Sequence, residues 1–398
     1  MDYKKSHPWL KFSLSVPLDN FRLWLCLGEI ASKVEHLLGV PLRADVAQEL
    51  HKIYLAKGVQ ATTAIEGNTL SEEQIHLLIE GKLKVPESQH YLQVEVQNIL
   101  DICNKETRQL LEGAGEHPGL CVDLIKNYNR DVLKGLELNE GVVPGEIRSH
   151  SVVVGNVYRG APAQDCEYLL EKLCTWLNGN DFVPPNDEEE LIIPLALIKA
   201  IVAHLYLAWI HPFGDGNGRT ARLVEFHILL SAGVPLPATH LLSDHYNLTR
   251  TQYYRELEKA SAVDDGVISF ISYATRGFLD GIREQIKRIR EQQLRVAWEN
   301  YVYDCFRSVK DSKTQKRRRD LVLELTKYDW VKVSEVEMLT PQIARDYAGA
   351  GDRMLQRDLN AIHKEGLIYR RHGYVKSAKD MIEAFLPTRV KYEDVDEY

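Results

Sequence analysis

The sequence has no C-x-x-C pair, although it holds six cysteines: Cys26, Cys103, Cys121, Cys166, Cys174 and Cys305. Their scatter excludes the ligand spacing of a thiolate zinc site and offers no disulfide framework, so they read as plain thiols of a reducing compartment. No apolar region follows Met1-Asp2-Tyr3-Lys4-Lys5-Ser6-His7-Pro8, so no signal peptide is expected and the expected location is cytoplasmic. Internal repeats are lacking. Charge of one sign is scarcely in excess: 49 Lys and Arg stand against 57 Asp and Glu, a net charge of -8. A mildly acidic whole excludes a protein that coats nucleic acid, but leaves room for one local basic surface. Long apolar runs are also scarce. The one that approaches spanning length, Leu191 to Ile210, is interrupted by Pro194, Lys199 and His204. It reads as a helix buried in a soluble bundle, hydrophobic nearly all round, with no membrane partner.

What is present is ordinary globular material. Hydrophobic residues make up 44% and charged residues 27%, which excludes disorder, collagen and low complexity for the chain as a whole. At about 150 residues per domain, 398 residues suggest two or three domains. The pattern is mostly helical. Residues 17–66 carry helical periodicity broken at Gly39-Val40-Pro41, and Ser71-x-x-Gln74 has the spacing of a capping box. Further helices fit 91–111, 166–178 and 189–210. At 151–158 the β-branched Val152-Val153-Val154, the turn pair Gly155-Asn156 and the returning Val157-Tyr158 predict a short β-hairpin.

A chemistry-bearing stretch follows the apolar helix: His211-Pro212-Phe213-Gly214-Asp215-Gly216-Asn217-Gly218-Arg219-Thr220-Ala221-Arg222. Leu223, Phe226, His227 and Leu230 continue at helical spacing, so a helix starts near Gly218. A glycine-rich loop feeding a helix N-terminus is an anion site, and two arginines three apart on the first turn suit two phosphates. Neither the Walker nor the dinucleotide spacing fits, because Arg219 stands where each motif needs another residue. Asp215 beside phosphates suits a divalent ion such as Mg²⁺. His211 is then free to act as general base toward a hydroxyl.

This stretch matches the Fic family motif, H-x-F-x-[DE]-G-N-G-R-x-x-R, at every defined position. The resemblance covers roughly residues 10–280. It implies a helical enzyme that transfers AMP from ATP to a Ser, Thr or Tyr hydroxyl of a target protein or of itself. It also implies a role for each residue. His211 would deprotonate the hydroxyl, Phe213 anchor the loop and Asp215 hold Mg²⁺. Gly216, Asn217 and Gly218 would form the anion hole, Arg219 and Arg222 would bind the outer phosphates, and Thr220 and Ala221 would complete the nucleotide site. The hairpin, with Val153, Val154, Gly155 and Asn156, falls where the family keeps its flap. Tyr253 is expected near adenine, and Ser261 stands where many relatives have Asn. Upstream, Thr62-Thr63-Ala64-Ile65-Glu66-Gly67 fits the family's inhibitory pattern, [ST]-x-x-x-E-[GN]. Glu66 is expected to end a helix capped by Gly67 and to pair with Arg222, reaching the nucleotide site and holding the enzyme off. Removal of AMP, with Glu66 orienting a water, is an alternative activity of the same site.

The last part of the chain changes character. Charge rises from about residue 281, with Lys316-Arg317-Arg318-Arg319 in a row, which reads as a solvated helix start. An amphipathic helix at 352–362, stopped by Gly366, precedes strands around Arg370-Arg371-His372-Gly373. This resembles the recognition helix and wing of DeoR-like winged helix-turn-helix repressors, although Thr340-Pro341 interrupts where the preceding helix is expected. A winged helix docks on DNA or on protein, and a DNA-binding regulator whose Fic core senses nucleotide is a further alternative. The expected fold is an all-α Fic-type helical core with a β-hairpin flap and a C-terminal winged helix. The expected segments are 1–112 with the inhibitory helix, 113–280 as catalytic core, 281–320 as charged helical linker, and 321–398 as winged helix and tail.

Overall fold

Two apolar cores, each closed within itself, organise the chain into units 1–286 and 287–398. The structure, a computed structural model, describes residues 2–112, 119–154, 158–263, 265–307, 313–348 and 352–382. The first unit begins with helices α1 (Tyr3–Ser6), α2 (Phe21–Leu38), α3 (Ala44–Ala64), α4 (Glu72–Ile79), α5 (His90–Glu112) and α6 (Val122–Val132). A two-stranded antiparallel hairpin, β1 (Val153–Val154) and β2 (Tyr158–Arg159), pairs Val153 with Arg159 and Val154 with Tyr158. Gly155 and Asn156 lie outside the described residues. Then follow α7 (Cys166–Leu177), α8 (Ile192–Ile210), α9 (Asn217–Ser231), α10 (Leu241–Leu248), α11 (Arg250–Ala262) and α12 (Gly266–Arg307).

α8 is the helix around which this unit is laid. Residues on every side of it are buried, which explains its apolar composition: α9, α7 and α2 all pack against it. By length and composition alone it could cross a membrane; here it lies among these helices. α9 in turn contacts α6, α5, α3 and α10, so the helix after the glycine-rich loop touches most of the bundle. The capping box closes the start of α4: Ser71 Oγ accepts from Gln74 N at 3.3 Å, and Gln74 Oε1 accepts from Ser71 N at 2.9 Å. α3 stops at Ala64, two residues before the expected end at Glu66. The chain turns there because Gly67 adopts φ +104, a left-handed value that a residue with a Cβ resists, and Asn68 N returns to Thr63 O at 3.2 Å. Glu66 therefore projects from a turn and not from a helical face.

The second unit holds α13 (Lys313–Leu325), β3 (Val331–Lys332), α14 (Pro341–Tyr347), α15 (Asp352–Lys364), β4 (Ile368–Arg371) and β5 (Tyr374–Ser377). Its antiparallel sheet runs β3-β5-β4. Thr340-Pro341 starts α14 and breaks nothing: Thr340 Oγ1 accepts from Ile343 N, and proline stands at the first helical position, where its missing N–H costs little. The expected separate linker 281–320 is not a free-standing segment. Trp298, Val302 and Phe306 of α12 and Leu321 of α13 are all part of the second core. Nor is the basic run a solvated helix start. Arg317 Nε and Arg318 Nε donate to the buried Asp358 of α15 at 2.8 and 2.7 Å, and Tyr347 adds its hydroxyl at 3.1 Å.

Removing this carboxylate leaves two largely buried guanidiniums without an anion. Asp358→Ala should lower unfolding stability by about 3 kcal/mol, the lower end of the cost of breaking a buried pair. Urea denaturation checks it, and Asp358→Asn, which keeps the acceptor, should lose less.

Candidate active site

The loop between α8 and α9 is held by side chains that themselves do no chemistry. His211 ends α8 in a left-handed conformation, φ 48 and ψ 59. That strain is held by Arg148, whose Nε donates to His211 O at 2.7 Å. The same guanidinium reaches the carbonyls of His150 and Ala161, each at 2.5 Å, on either side of the hairpin. Next to it Ile147 bridges to Phe213, which is fully buried. Asn217 closes the loop from inside: its Oδ1 accepts from Phe213 N and its Nδ2 donates to Phe213 O, both at 2.9 Å. From α6, Asn129 Nδ2 donates to Asp215 O at 2.8 Å. Arg148 and Asn129 were missed by sequence reading. A lone Asn inside an amphipathic helix gives no signal, whereas an Arg just before the hairpin could have been flagged.

Burial, with Arg148 nearby, pushes His211 down to about 4, and the Ala208 carbonyl, Glu66 and Asp215 offset this only in part. The imidazole is therefore neutral at ordinary pH, the state a general base needs.

α9 begins at Asn217, one residue from the expected start, with Gly216 as its N-cap. Its first turn carries both arginines inward, and each is matched to a carboxylate. Arg222 donates to Glu66 Oε1 at 2.6 Å and to Thr62 O at 2.9 Å. The Arg222 side chain is 1% exposed and that of Glu66 35%. Burial opposes the charge on Glu66, but the Arg222 guanidinium outweighs it and holds the carboxyl below its usual range. Gly218 makes this approach feasible. A Cβ there would lie 2.2 Å from Glu66 Oε1, so a carboxylate oxygen occupies the space that the missing side chain leaves. Thr62 contributes its backbone carbonyl, and Arg250 holds the turn by donating to Ile65 O. Arg219 is bound by Glu95 of α5 and, at 3.3 Å, by Asp215. The Nε atoms of Arg219 and Arg222 are buried donors with no hydrogen-bond partner among the described residues. Glu95 and Asn68 are further residues that sequence reading missed.

Asp215 is 45% exposed at its side chain, and with Arg219, Glu66, Glu95 and His90 it lines a cavity of about 760 Å³. Among the described residues there is no group of three or more His, Cys, Asp or Glu suited to a metal ion. One accessible carboxylate beside an arginine fits Mg²⁺ bound largely through phosphate oxygens and water.

The other expected residues have these surroundings. The Thr220 hydroxyl donates to Gly216 O at 2.8 Å, and Ala221 is in the core. Tyr253 is also a core residue. Its hydroxyl meets His204 Nε2 at 2.8 Å and its ring stacks on Tyr246, while the exposed ring of α11 is Tyr254. Ser261, in the last turn of α11, donates to Glu258 O at 3.1 Å. Val153 and Val154 lie in β1.

A glycine-rich loop and an adjoining histidine thus meet at a helix start that seats an anion, the Glu66 carboxylate. Residues 119–229 match the Fic/DOC family model. It is similar to the protein adenylyltransferase fic-1 of Caenorhabditis briggsae, 33% identical over 254 residues, which cover 62% of this chain and 44% of that protein. It is 28% identical to the protein adenylyltransferase Fic of Nematostella vectensis over 63% of this chain and 53% of the relative. The chain thus spans about half the length of these curated relatives. The fold is shared with a Fic family protein from Desulfovibrio desulfuricans G20, with TM-score 0.56 and 18% identity over 92% of this chain and 97% of that one. It is also shared with residues 134–508 of Caenorhabditis elegans Fic-1, with TM-score 0.53 and 24% identity over 69% and 75% of the two chains.

Glu66→Gly should destabilise the ligand-free protein by about 1–3 kcal/mol, since it strands the buried Arg222; the cost is below that of a fully buried pair because Glu66 is partly exposed. In thermal melts, ATP should raise the melting temperature of this variant more than that of the wild type, because a phosphate replaces the lost carboxylate.

Proposed function

We propose that this chain is a protein adenylyltransferase that moves AMP from ATP to a Ser, Thr or Tyr hydroxyl of a target protein or of itself, restrained by Glu66. One observation carries the reading: a carboxylate of the same chain is seated on Gly218 and Arg222 at the start of α9, so the place built for an anion is filled by Glu66. The names of the similar proteins agree with this activity.

In this reading His211 takes the proton of the incoming hydroxyl. The hydroxyl oxygen bonds to the α-phosphorus as the bond to the bridging oxygen breaks, and pyrophosphate leaves with the electron pair. Gly216, Asn217 and Gly218 shape the backbone under the phosphates, with Asn217 acting through the loop it clamps. Arg222 serves the outer phosphate once Glu66 withdraws. Asp215 would hold Mg²⁺, which offsets phosphate charge when bound. Hairpin β1–β2 would border the target segment, whose backbone can add to a strand edge. A cytoplasmic location is supported by the six free thiols.

Three outcomes test this with labelled ATP. His211→Ala should abolish labelling, a loss of about 10²–10⁴-fold, while ATP binding persists. Glu66→Gly should raise labelling at least about tenfold, roughly 1.4 kcal/mol in the barrier, and Arg222→Ala in that background should cancel the gain. Thr62→Ala should change labelling little, because Thr62 meets Arg222 through its backbone. The pH profile has a definite sign. Since His211 is neutral above about 4, kcat/KM should stay level from about pH 8 to about pH 6 and fall only as pH drops through about 4. A fall centred on the usual histidine value would refute this environment for the base.

We also read the second unit as a winged helix, supported by its helix–strand–helix–helix–hairpin order. Duplex DNA is its favoured partner. Arg353, Gln356, Arg357, Asn360 and Lys364 of α15 are exposed, whereas Asp358 is buried and neutralised. Arginine and amide side chains suit base edges in a major groove. Arg370 is engaged with Gln356 and Asn360, joining hairpin to helix. Fluorescence anisotropy with duplex DNA should show affinity that falls with salt and is reduced by Arg357→Ala or Arg371→Ala. Salt-insensitive behaviour would favour docking on protein.

A further inference from the structure

We propose that Glu95 is a second lock on the anion site, holding Arg219 back from phosphate as Glu66 holds Arg222, and that Asn68 joins the two locks into one unit. The proposal rests on the reading of the site as one for ATP.

Glu95 lies on α5, and in the folded protein its two oxygens face different partners. Oε1 accepts from Arg219, and Oε2 accepts from Asn68 Nδ2 at 2.8 Å. Asn68 stands two residues after Glu66 in the same turn, and it is tied down further by Leu92 O at 3.0 Å and by Leu70 N at 3.0 Å. One carboxylate thus connects the turn that delivers Glu66 to the arginine that Glu66 does not touch. Arg219 meets a second carboxylate in Asp215, at 3.3 Å. A guanidinium shared between two carboxylates has little net charge left for phosphate. Both arginines keep a buried Nε–H with no hydrogen-bond partner among the described residues. The carboxylates therefore occupy the arginines without satisfying every donor. The cavity lined by Glu66, Asn68, Glu95, Asp215 and Arg219 gives phosphate oxygens room to reach Arg219.

The consequence is a coupling. Phosphate that captures Arg219 removes the charged partner of Glu95 and weakens the hold of Glu95 on Asn68. The turn then carries Glu66 less firmly into the Gly218 space. Conversely, a turn withdrawn with Glu66 loosens Glu95 and frees Arg219. Two contacts that share one anchored turn are not expected to add independently.

The test uses the full chain as wild type, Glu95→Gln, Asn68→Ala, Glu66→Gly and Glu66→Gly with Glu95→Gln. Each is measured for ATP dissociation constant, labelling rate with ATP and melting temperature. Glu95→Gln should tighten ATP about five- to tenfold, up to about 1.4 kcal/mol, and raise labelling severalfold. Its gain in ATP affinity should shrink in the Glu66→Gly background. Asn68→Ala leaves the Glu95–Arg219 pair in place and should still raise labelling severalfold, with ATP affinity within about twofold of wild type; this variant serves if Glu95→Gln fails to fold. Unchanged ATP affinity in a folded Glu95→Gln protein would overturn the lock. So would weaker ATP binding with slower labelling in both backgrounds, which would make Glu95 the residue that aims Arg219 at phosphate. Fold-changes that multiply independently, or an inert Asn68→Ala, would overturn the coupling. If ATP binds but no variant labels any protein, the adenylyl-transfer reading fails, and the dissociation constants alone still decide the role of Glu95.

Discussion

The guanidinium of Arg222 is buried almost completely, and a buried charge requires an anion. Much of the site follows from which anion is there. In this structure it is Glu66, delivered by a turn at the end of α3 into the space left by Gly218. The residues around that turn are disposed to keep it in place: Thr62 O shares Arg222, Arg250 holds Ile65 O, and Asn68 is tied into α5. In the proposed reading a phosphate and this carboxylate compete for the same donors, so restraint and substrate binding draw on the same chemistry.

A division of labour runs through the loop. The side chains with reactive or charged ends, His211, Asp215, Arg219 and Arg222, depend on others that are occupied mainly with backbone. Arg148 spends its donors on carbonyls from the end of α8 and from both flanks of the hairpin. Asn217 and Asn129 fasten the loop from inside. Because each holds mainly main chain, the positions of the reactive groups are set by backbone geometry, which tolerates little drift. The left-handed His211 is the visible cost of this arrangement.

The second unit solves a different problem with a similar device. Its basic run would repel itself if gathered on one helix turn. Asp358 draws Arg317 and Arg318 inward, and the exposed face of α15 is left to other residues. Positive charge in the second unit is thus divided between a structural share and a solvent-facing share.

Periodicity and punctuation made much of this legible without a structure. The capping box at Ser71, the buried helix at 192–210, the hairpin, and the loop feeding α9 all depend on local chemistry: spacing, turn residues and apolar runs. The motif from His211 to Arg222 is contiguous, so its residues announce themselves together, and the pairing of Glu66 with Arg222 was legible because a family pattern joined two distant segments. Contacts that span the fold with no such pattern were not legible. Glu95 and Arg219 are 124 residues apart, and nothing local marks an isolated Glu as belonging to the site; Arg148 and His211 are 63 apart, and the place of Arg148 before the hairpin hints at a role without naming its partner. Which of the adjacent rings Tyr253 and Tyr254 turns inward was not legible either: the pattern puts tyrosines on the helix, but only packing decides that Tyr253 is the buried one. The second core likewise takes Trp298 from a charged helix, because a helix that reads as solvated along most of its length still buries whatever face another core offers to cover. Local sequence determined the elements and the reactive set; the tertiary structure alone decided which charges meet, because pairing of buried ions depends on distances across the fold that no spacing along the chain encodes.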